Sequence, residues 1–142
     1  MSAENEALLR RWFEEVWNKG RVEAIDEMMA ADAVAHGLGD AQVVGTAAFK
    51  GFHEKFRGAF PDIRITVDDV ISQGDRAAVR FTIRATHRGD HLGVPASGRE
   101  VTVPAMSFVR CKNGQIVEGW NSVDMLGMLQ QVGGVDVKAR LS

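Results

Sequence analysis

The chain has 142 residues, 17 basic and 19 acidic, for a net charge of −2, which suits one domain with a true core and room for a pocket. The near-balance of charge and the lack of a basic run argue against nucleic acid as a partner, and no apolar stretch approaches the roughly 20 residues of a membrane span. Glu4 and Glu6 stand where a signal peptide would carry bases, so a cytoplasmic protein, one domain over residues 1–142, is expected.

In chain order the first half reads as helical. Leu8, Trp12, Phe13, Val16 and Trp17 recur at helical spacing and stop at Asn18-Lys19-Gly20. Val22, Ile25, Met28 and Met29 repeat the pattern in a second, shorter helix. Ala33-Val34-Ala35-His36 reads as a short strand, and a glycine-rich loop follows to Gly45. Thr46 can cap a third helix whose buried stripe is Phe49, Phe52, Phe56 and Phe60. Pro61-Asp62 ends it.

The second half reads as strands. Ile63, Ile65, Val67, Asp69 and Ile71 alternate onto one face, and Ser72-Gln73-Gly74-Asp75 turns the chain. Ala77, Val79, Phe81, Ile83 and Ala85 share the next strand's apolar face. Arg76, Arg80 and Arg84 form a stripe on the other. Val101 to Cys111 is a long strand whose apolar phase switches from Val101/Val103 to Met106/Phe108, which predicts a bulge or bend near Pro104. Cys111, the single cysteine, reads as a small buried thiol. Lys112-Asn113-Gly114 is a hairpin signal. Gln115 to Val123 is the last strand, and a short amphipathic helix follows Asp124.

The order predicts an α+β fold, with three N-terminal helices packed on a strongly bent mixed or antiparallel sheet and a short C-terminal helix. Such an arrangement leaves a cone whose open end is a ligand pocket.

Several motifs carry a family likeness. They are His36, Ala59-Phe60-Pro61-Asp62, Gly74-Asp75, Thr86-His87-Arg88-Gly89, Leu92-Gly93-Val94-Pro95 and Gly98-Arg99. Gly114-Gln115-Ile116-Val117-Glu118, Trp120 and the run from Asp124 through Leu126-Gly127-Met128-Leu129-Gln130-Gln131-Val132-Gly133 complete the set. Over about Leu8 to Gly133 the chain resembles the SnoaL-like polyketide cyclase family, within the nuclear-transport-factor-like cone folds. The resemblance implies a cone-shaped α+β barrel that pairs as a homodimer through its outer sheet face. It also implies an apolar or aromatic small-molecule substrate and no metal or organic cofactor. Two departures bear on the pocket: Pro95-Ala96-Ser97-Gly98 replaces the family's Pro-Pro-Thr-Gly, and Gly119 stands where a bulkier or charged residue is usual.

The candidate site centres on Asp124. The resemblance assigns it the acid/base role of an intramolecular aldol ring closure. Burial beside Trp120 would raise its proton affinity toward the working pH, as a general base needs. Its place before Met125-Leu126 equally suits a helix cap. In a regular strand Trp120 shares the side of Ile116, Glu118, Ser122 and Asp124, so it reads as a stacking wall or as core. Asn121 then faces the other way unless a bulge turns it inward. His36 reads alone as a structural histidine, and by resemblance as a pocket-lining catalytic partner. His87 and His91 are expected in a loop at the cone mouth, touching substrate rather than a metal, and that loop reads as a lid. Phe52 and Phe56 are expected on the substrate wall, and His53 beside them at the surface. The expected activity is cyclase-like proton transfer. The alternatives are a non-catalytic binding module, or isomerase or epoxide-hydrolase-like chemistry in the same pocket.

Overall fold

The computed structural model describes residues 2–39, 42–91 and 93–133. Helices α1 (Ser2–Trp12) and α2 (Glu23–Met28) precede strands β1 (Met29–His36) and β2 (Val43–Val44). Helix α3 (Gly45–Ala59) follows, then β3 (Arg64–Gln73), β4 (Arg76–Thr86), β5 (Glu100–Lys112) and β6 (Gln115–Val123), and α4 (Met125–Gln131) comes last. The strands form one mixed sheet in the order β2-β1-β6-β5-β4-β3. The β1–β6 pair is parallel and the other four pairs are antiparallel. The fold is α+β, and the sheet curves into an open cone rather than a closed barrel, with β2 and β3 left as edges.

The core lies between the helices and the inner sheet face. Leu8, Leu9 and Trp12 are buried on α1. The chain then widens into a π-helical turn, Phe13–Asn18, which adds Phe13, Val16 and Trp17 to that buried side. Asn18 closes the turn against edge strand β3. Its Oδ1 accepts the Ile65 N–H at 2.6 Å, and its Nδ2 donates to the Ile65 carbonyl at 2.9 Å. One side chain thus satisfies both backbone groups of an edge residue. Arg57 donates to the Trp17 carbonyl at 2.6 Å and ties α3 to the same turn.

Four sequence expectations need correction. The first strand begins at Met29, and β2 lies within the predicted loop. The third helix starts at Gly45 with no side-chain cap, so Thr46 does not cap it. The bulge expected near Pro104 is absent, since β5 pairs with β4 in unbroken register from Glu100 to Arg110. Val101, Val103, Ala105, Ser107, Val109 and Cys111 are all buried on one face, and Met106 and Phe108 are apolar residues exposed on the other. The register shifts lie instead at Val67/Asp69, at Met29/Val34 on β1, and opposite Arg110/Cys111. The first of these turns Val70 inward and leaves Ile71 exposed, because one extra residue reverses the facing of everything after it.

The motif residues around the loop from His87 to Gly98 hold architecture together. Asp62 accepts the Thr86 N–H and hydroxyl, both at 2.7 Å. The Arg88 and Gly89 amides donate to the Ala59 carbonyl at the end of α3. Gly98 N–H donates to the His87 carbonyl at 2.8 Å and closes the loop on itself.

Candidate functional site

Helices and inner sheet face enclose a cavity of about 210 Å³. Trp12, Phe13, Trp17, Phe49, Phe52, Phe56 and Phe81 wall it with aromatic rings, and Ile65, Ile83, Val109 and Ile116 complete the apolar lining. The rings pack on one another: Trp12 and Phe49 centroids are 5.3 Å apart, and Trp17 meets Phe49, Phe52 and Phe56 edge-on at about 6 Å. The exposed lining residues Gly37, Lys55 and Met125 mark the mouth. Apart from the two indoles, the polar side chains of the described lining are Lys55, Ser107 and Asn121.

The polar pair arises from a strand irregularity. On β6 the register moves from Arg110↔Glu118 to Cys111↔Ile116, so one extra residue sits between Ile116 and Gly119. Ile116, Gly119, Asn121 and Val123 therefore line the cavity, and Glu118 and Trp120 turn outward. Asn121 sits opposite Ser107 on β5. The Ser107 hydroxyl donates to Asn121 Oδ1 at 2.6 Å, and Asn121 Nδ2 donates to the His36 carbonyl at 2.9 Å. Gly37 permits this approach. Its φ is +81°, and a Cβ there would stand 1.9 Å from the Asn121 carbonyl oxygen.

The bulge overturns the expected side for Trp120 and His36. Trp120 is 40% exposed and lines a groove on the outer sheet face with Ile71, Arg80, Met106 and Phe108. The His36 ring stacks on it, with centroids 5.4 Å apart and planes 11° from parallel. His36 Nε2 meets Glu118 Oε2 at 2.8 Å, and Nδ1 meets the Gln42 amide at 3.1 Å. Arg110 donates to the other Glu118 oxygen at 3.3 Å. The His36 hydrogen bond, aided by Arg110, holds the Glu118 carboxyl below its ordinary value. His36 serves the cavity through its backbone carbonyl, while its ring faces away.

Asp124 is exposed and caps α4, with Oδ1 accepting the Gly127 N–H at 2.8 Å. The burial beside Trp120 expected for it is absent, because Trp120 lies on the other face. Its chain neighbours Val123 and Met125 both line the cavity, so it stands at the rim. His87 and His91 do not line the cavity either. His87 is 1% exposed, packs against Phe60, and accepts the Ser97 N–H at Nδ1, 3.2 Å away. His91 lies exposed over Gly58. None of the described residues of their loop lines the cavity, and Arg88 and Gly89 pin it to the end of α3. Phe52 and Phe56 are on the cavity wall. His53 is buried, with Nε2 2.7 Å from the Val16 carbonyl.

Sequence reasoning missed Trp12, Trp17, Lys55 and Ser107 as lining residues, whereas Gly119, singled out as bearing on the pocket, does line it. The signal for Ser107 was present. It is the one hydroxyl in the alternating run Val101, Val103, Ala105, Ser107, Val109, and it was obscured by reading Met106 and Phe108 as inward.

A profile of the SnoaL-like polyketide cyclases matches residues 7–132. No curated protein matches the chain. Among solved structures, a SnoaL-like polyketide cyclase described as putative, from Jannaschia sp. CCS1, superposes with a TM-score of 0.87 at 24% identity, covering 95% of each chain. IdmH, described as a putative polyketide cyclase, from Streptomyces antibioticus, is 31% identical, with a TM-score of 0.79 over 90% of this chain and 97% of its own. AclR, described as a putative hydroxylase, from Streptomyces galilaeus, is 29% identical, with a TM-score of 0.83 over 94% of this chain and 98% of its own. With the profile covering almost the whole length and the cone fold shared, the chain belongs to the SnoaL-like polyketide cyclase family.

Proposed function

We propose that this chain is a cyclase-like protein acting on a flat, apolar carbonyl compound held in the aromatic cavity. The observation that carries this reading is the cavity itself, in a member of a family named for polyketide cyclisation. Its walls are rings, and one hydrogen-bonded polar pair stands in an otherwise apolar lining. Such a wall orients a planar substrate, and exclusion of water strengthens the few polar contacts within. Asp124 is the proton-transfer group of this reading. To act, its carboxylate must leave the Gly127 N–H and turn past Val123 and Met125, at a cost of about 1 kcal/mol for the lost cap. His36 takes part by positioning Asn121.

A second reading, a carrier without chemistry, is favoured by the cap on Asp124. No described lining side chain is a carboxylate or imidazole. That absence also weighs against water-activated epoxide opening, which needs a carboxylate beside the Asn121 amide. The deciding experiment combines native mass spectrometry of the purified protein with incubation against aromatic poly-β-carbonyl compounds. Chemical change by the wild type, lost in Asp124→Asn, supports the cyclase. Unmodified cargo held equally by both proteins supports the carrier and ends the cyclase reading.

The same reading includes a homodimer. Ile71, Met106, Phe108 and Trp120 are exposed together on the outer face, a cluster that a second copy of the chain would cover. Sedimentation should give a dimer for the wild type and a monomer for Trp120→Arg. A monomeric wild type at tens of micromolar would remove the dimer from the reading.

A further inference from the structure

We infer that the cavity selects a ligand carrying an enolic or phenolic hydroxyl, and that Ser107 and Asn121 together receive that group. The inference deepens the proposed function and rests on its cavity. It follows from which hydrogen-bonding capacity is already in use. The His36 carbonyl can only accept, so the Asn121 atom 2.9 Å from it must be the amide nitrogen. The amide oxygen therefore faces Ser107. That oxygen can also only accept, so the Ser107 hydroxyl donates to it across 2.6 Å. The single Ser107 proton is thereby committed.

Two capacities remain for a ligand. Ser107 Oγ keeps its lone pairs, and Asn121 keeps its second N–H. Both residues line the cavity, and Ser107 is 6% exposed, so water has little access to it. A ketone or ether oxygen can take the Asn121 N–H but meets Ser107 lone pair to lone pair. A hydroxyl satisfies both, donating to Ser107 and accepting from Asn121. The rings of Trp12, Phe13, Trp17, Phe49 and Phe81 require the rest of the ligand to be flat and apolar. Fused-ring phenols and their enol precursors combine the two properties.

Gly119 gives the hydroxyl its access. It is buried beside Asn121, and a Cβ built there would meet only Asn121 Nδ2, at 3.9 Å. A side chain at this position would occupy the space in front of the amide without straining the backbone. The glycine therefore sets which substrates reach the polar pair in this chain.

The test measures binding of 2-naphthol, which donates and accepts, and of 2-methoxynaphthalene, which only accepts. Both are titrated against the wild type, Ser107→Ala, Ser107→Cys and Gly119→Leu, with circular dichroism to establish folding. Wild type should bind naphthol about tenfold more tightly, the value of one hydrogen bond kept against one lost. Ser107→Ala should lose that preference, since it removes the oxygen that accepts the ligand's hydroxyl proton. Ser107→Cys, a weak donor and acceptor of similar size, should fall between and serves if the alanine variant fails to fold. Gly119→Leu should bind neither probe. Equal affinity of the two probes for the wild type, lost in Gly119→Leu, overturns the hydroxyl selection and leaves the cavity reading standing. A preference that survives in both Ser107 variants overturns it as well. Naphthol binding that persists in Gly119→Leu, or no binding of either probe to the wild type, overturns the cavity reading and the inference together.

Discussion

The two faces of β6 carry opposite kinds of chemistry. The inner face presents Ile116, Gly119, Asn121 and Val123 to a cavity, with one neutral amide as its only polar side chain. The outer face presents Glu118 and Trp120, joined to His36 and Arg110 in a stacked and ion-paired cluster. Histidine, carboxylate and indole are the residue types that acid–base catalysis suggests, and here they gather on the side without the enclosed cavity. One inserted residue between Ile116 and Gly119 makes the difference. In a strand, the side chains available to a site are set by counting residues through the bulges, and residue type alone misleads.

The comparison breaks most sharply on its two tryptophans. Trp17 is 7% exposed in a nest of four rings. Trp17→Ala should cost about 3–5 kcal/mol in urea denaturation, from lost transfer energy and an unfilled hole. Trp120→Ala should cost under about 1 kcal/mol when the chain is dilute enough to be monomeric, because its ring is already half in water. Equal costs would mean that Trp120 is a core residue and that the two faces are misassigned. Next in size is Asn121→Leu. It leaves the Ser107 hydroxyl and the His36 carbonyl without partners, and each buried unpaired group costs about 1–3 kcal/mol. Thermal unfolding of Asn121→Leu, Ser107→Ala and the double variant reads the coupling between them. Additive losses would show that the pair does not act as a unit.

What was legible in the sequence followed from period and punctuation. The helices, the strands from Arg64 onward and the last helix are written in apolar spacing and in glycine turns, and the cone follows from their order. Bulges have no such signature. Val67, Asp68 and Asp69 look like an uninterrupted alternation, and so does Ile116 to Trp120, yet each contains an extra residue that tertiary packing accommodates. That is why Asn121 was placed by default on the wrong face and Trp120 on the favoured one. The Phe stripe of α3 escaped this fate, because α3 is an unbroken α-helix from Gly45 to Ala59. The motif residues Asp62, Thr86, His87 and Gly98 were legible as a family signature, but the hydrogen bonds among them show what they hold in place: the loop and the end of α3.

Acid titration separates the buried side, through His53, from the outer sheet face, through Glu118. Burial lowers the His53 pKa from its ordinary 6.5, Arg57 adds to the effect, and the Val16 carbonyl works against it. Below 6.5 the unfolded chain therefore holds more protons at this site, and stability falls as pH drops from about 6.5. Glu118 on the outer face is also lowered, from 4.5. Its contribution is full above 4.5 and is lost as pH falls through the lower folded value. Denaturation midpoints followed from pH 8 to pH 3 should flatten in the upper window for His53→Gln and in the lower window for Glu118→Gln. A single slope unaffected by either change would assign the acid sensitivity to other carboxylates.

The smallest expected effect on stability is the most informative one about chemistry. Asp124 holds one cap bond on a seven-residue helix. Asparagine caps about as well as aspartate, so Asp124→Asn should change stability by only a few tenths of a kcal/mol, whereas Asp124→Ala should lose about 1 kcal/mol. A cap therefore separates the two substitutions, and a proton-transfer group does not, because both remove the titrating carboxylate. If turnover of a bound carbonyl compound vanishes equally in the two variants while stability splits between them, Asp124 performs both tasks, and α4 must release it during the reaction. If turnover follows stability instead, falling in Asp124→Ala and holding in Asp124→Asn, the carboxylate only shapes the rim, and the inner face works without an ionised side chain.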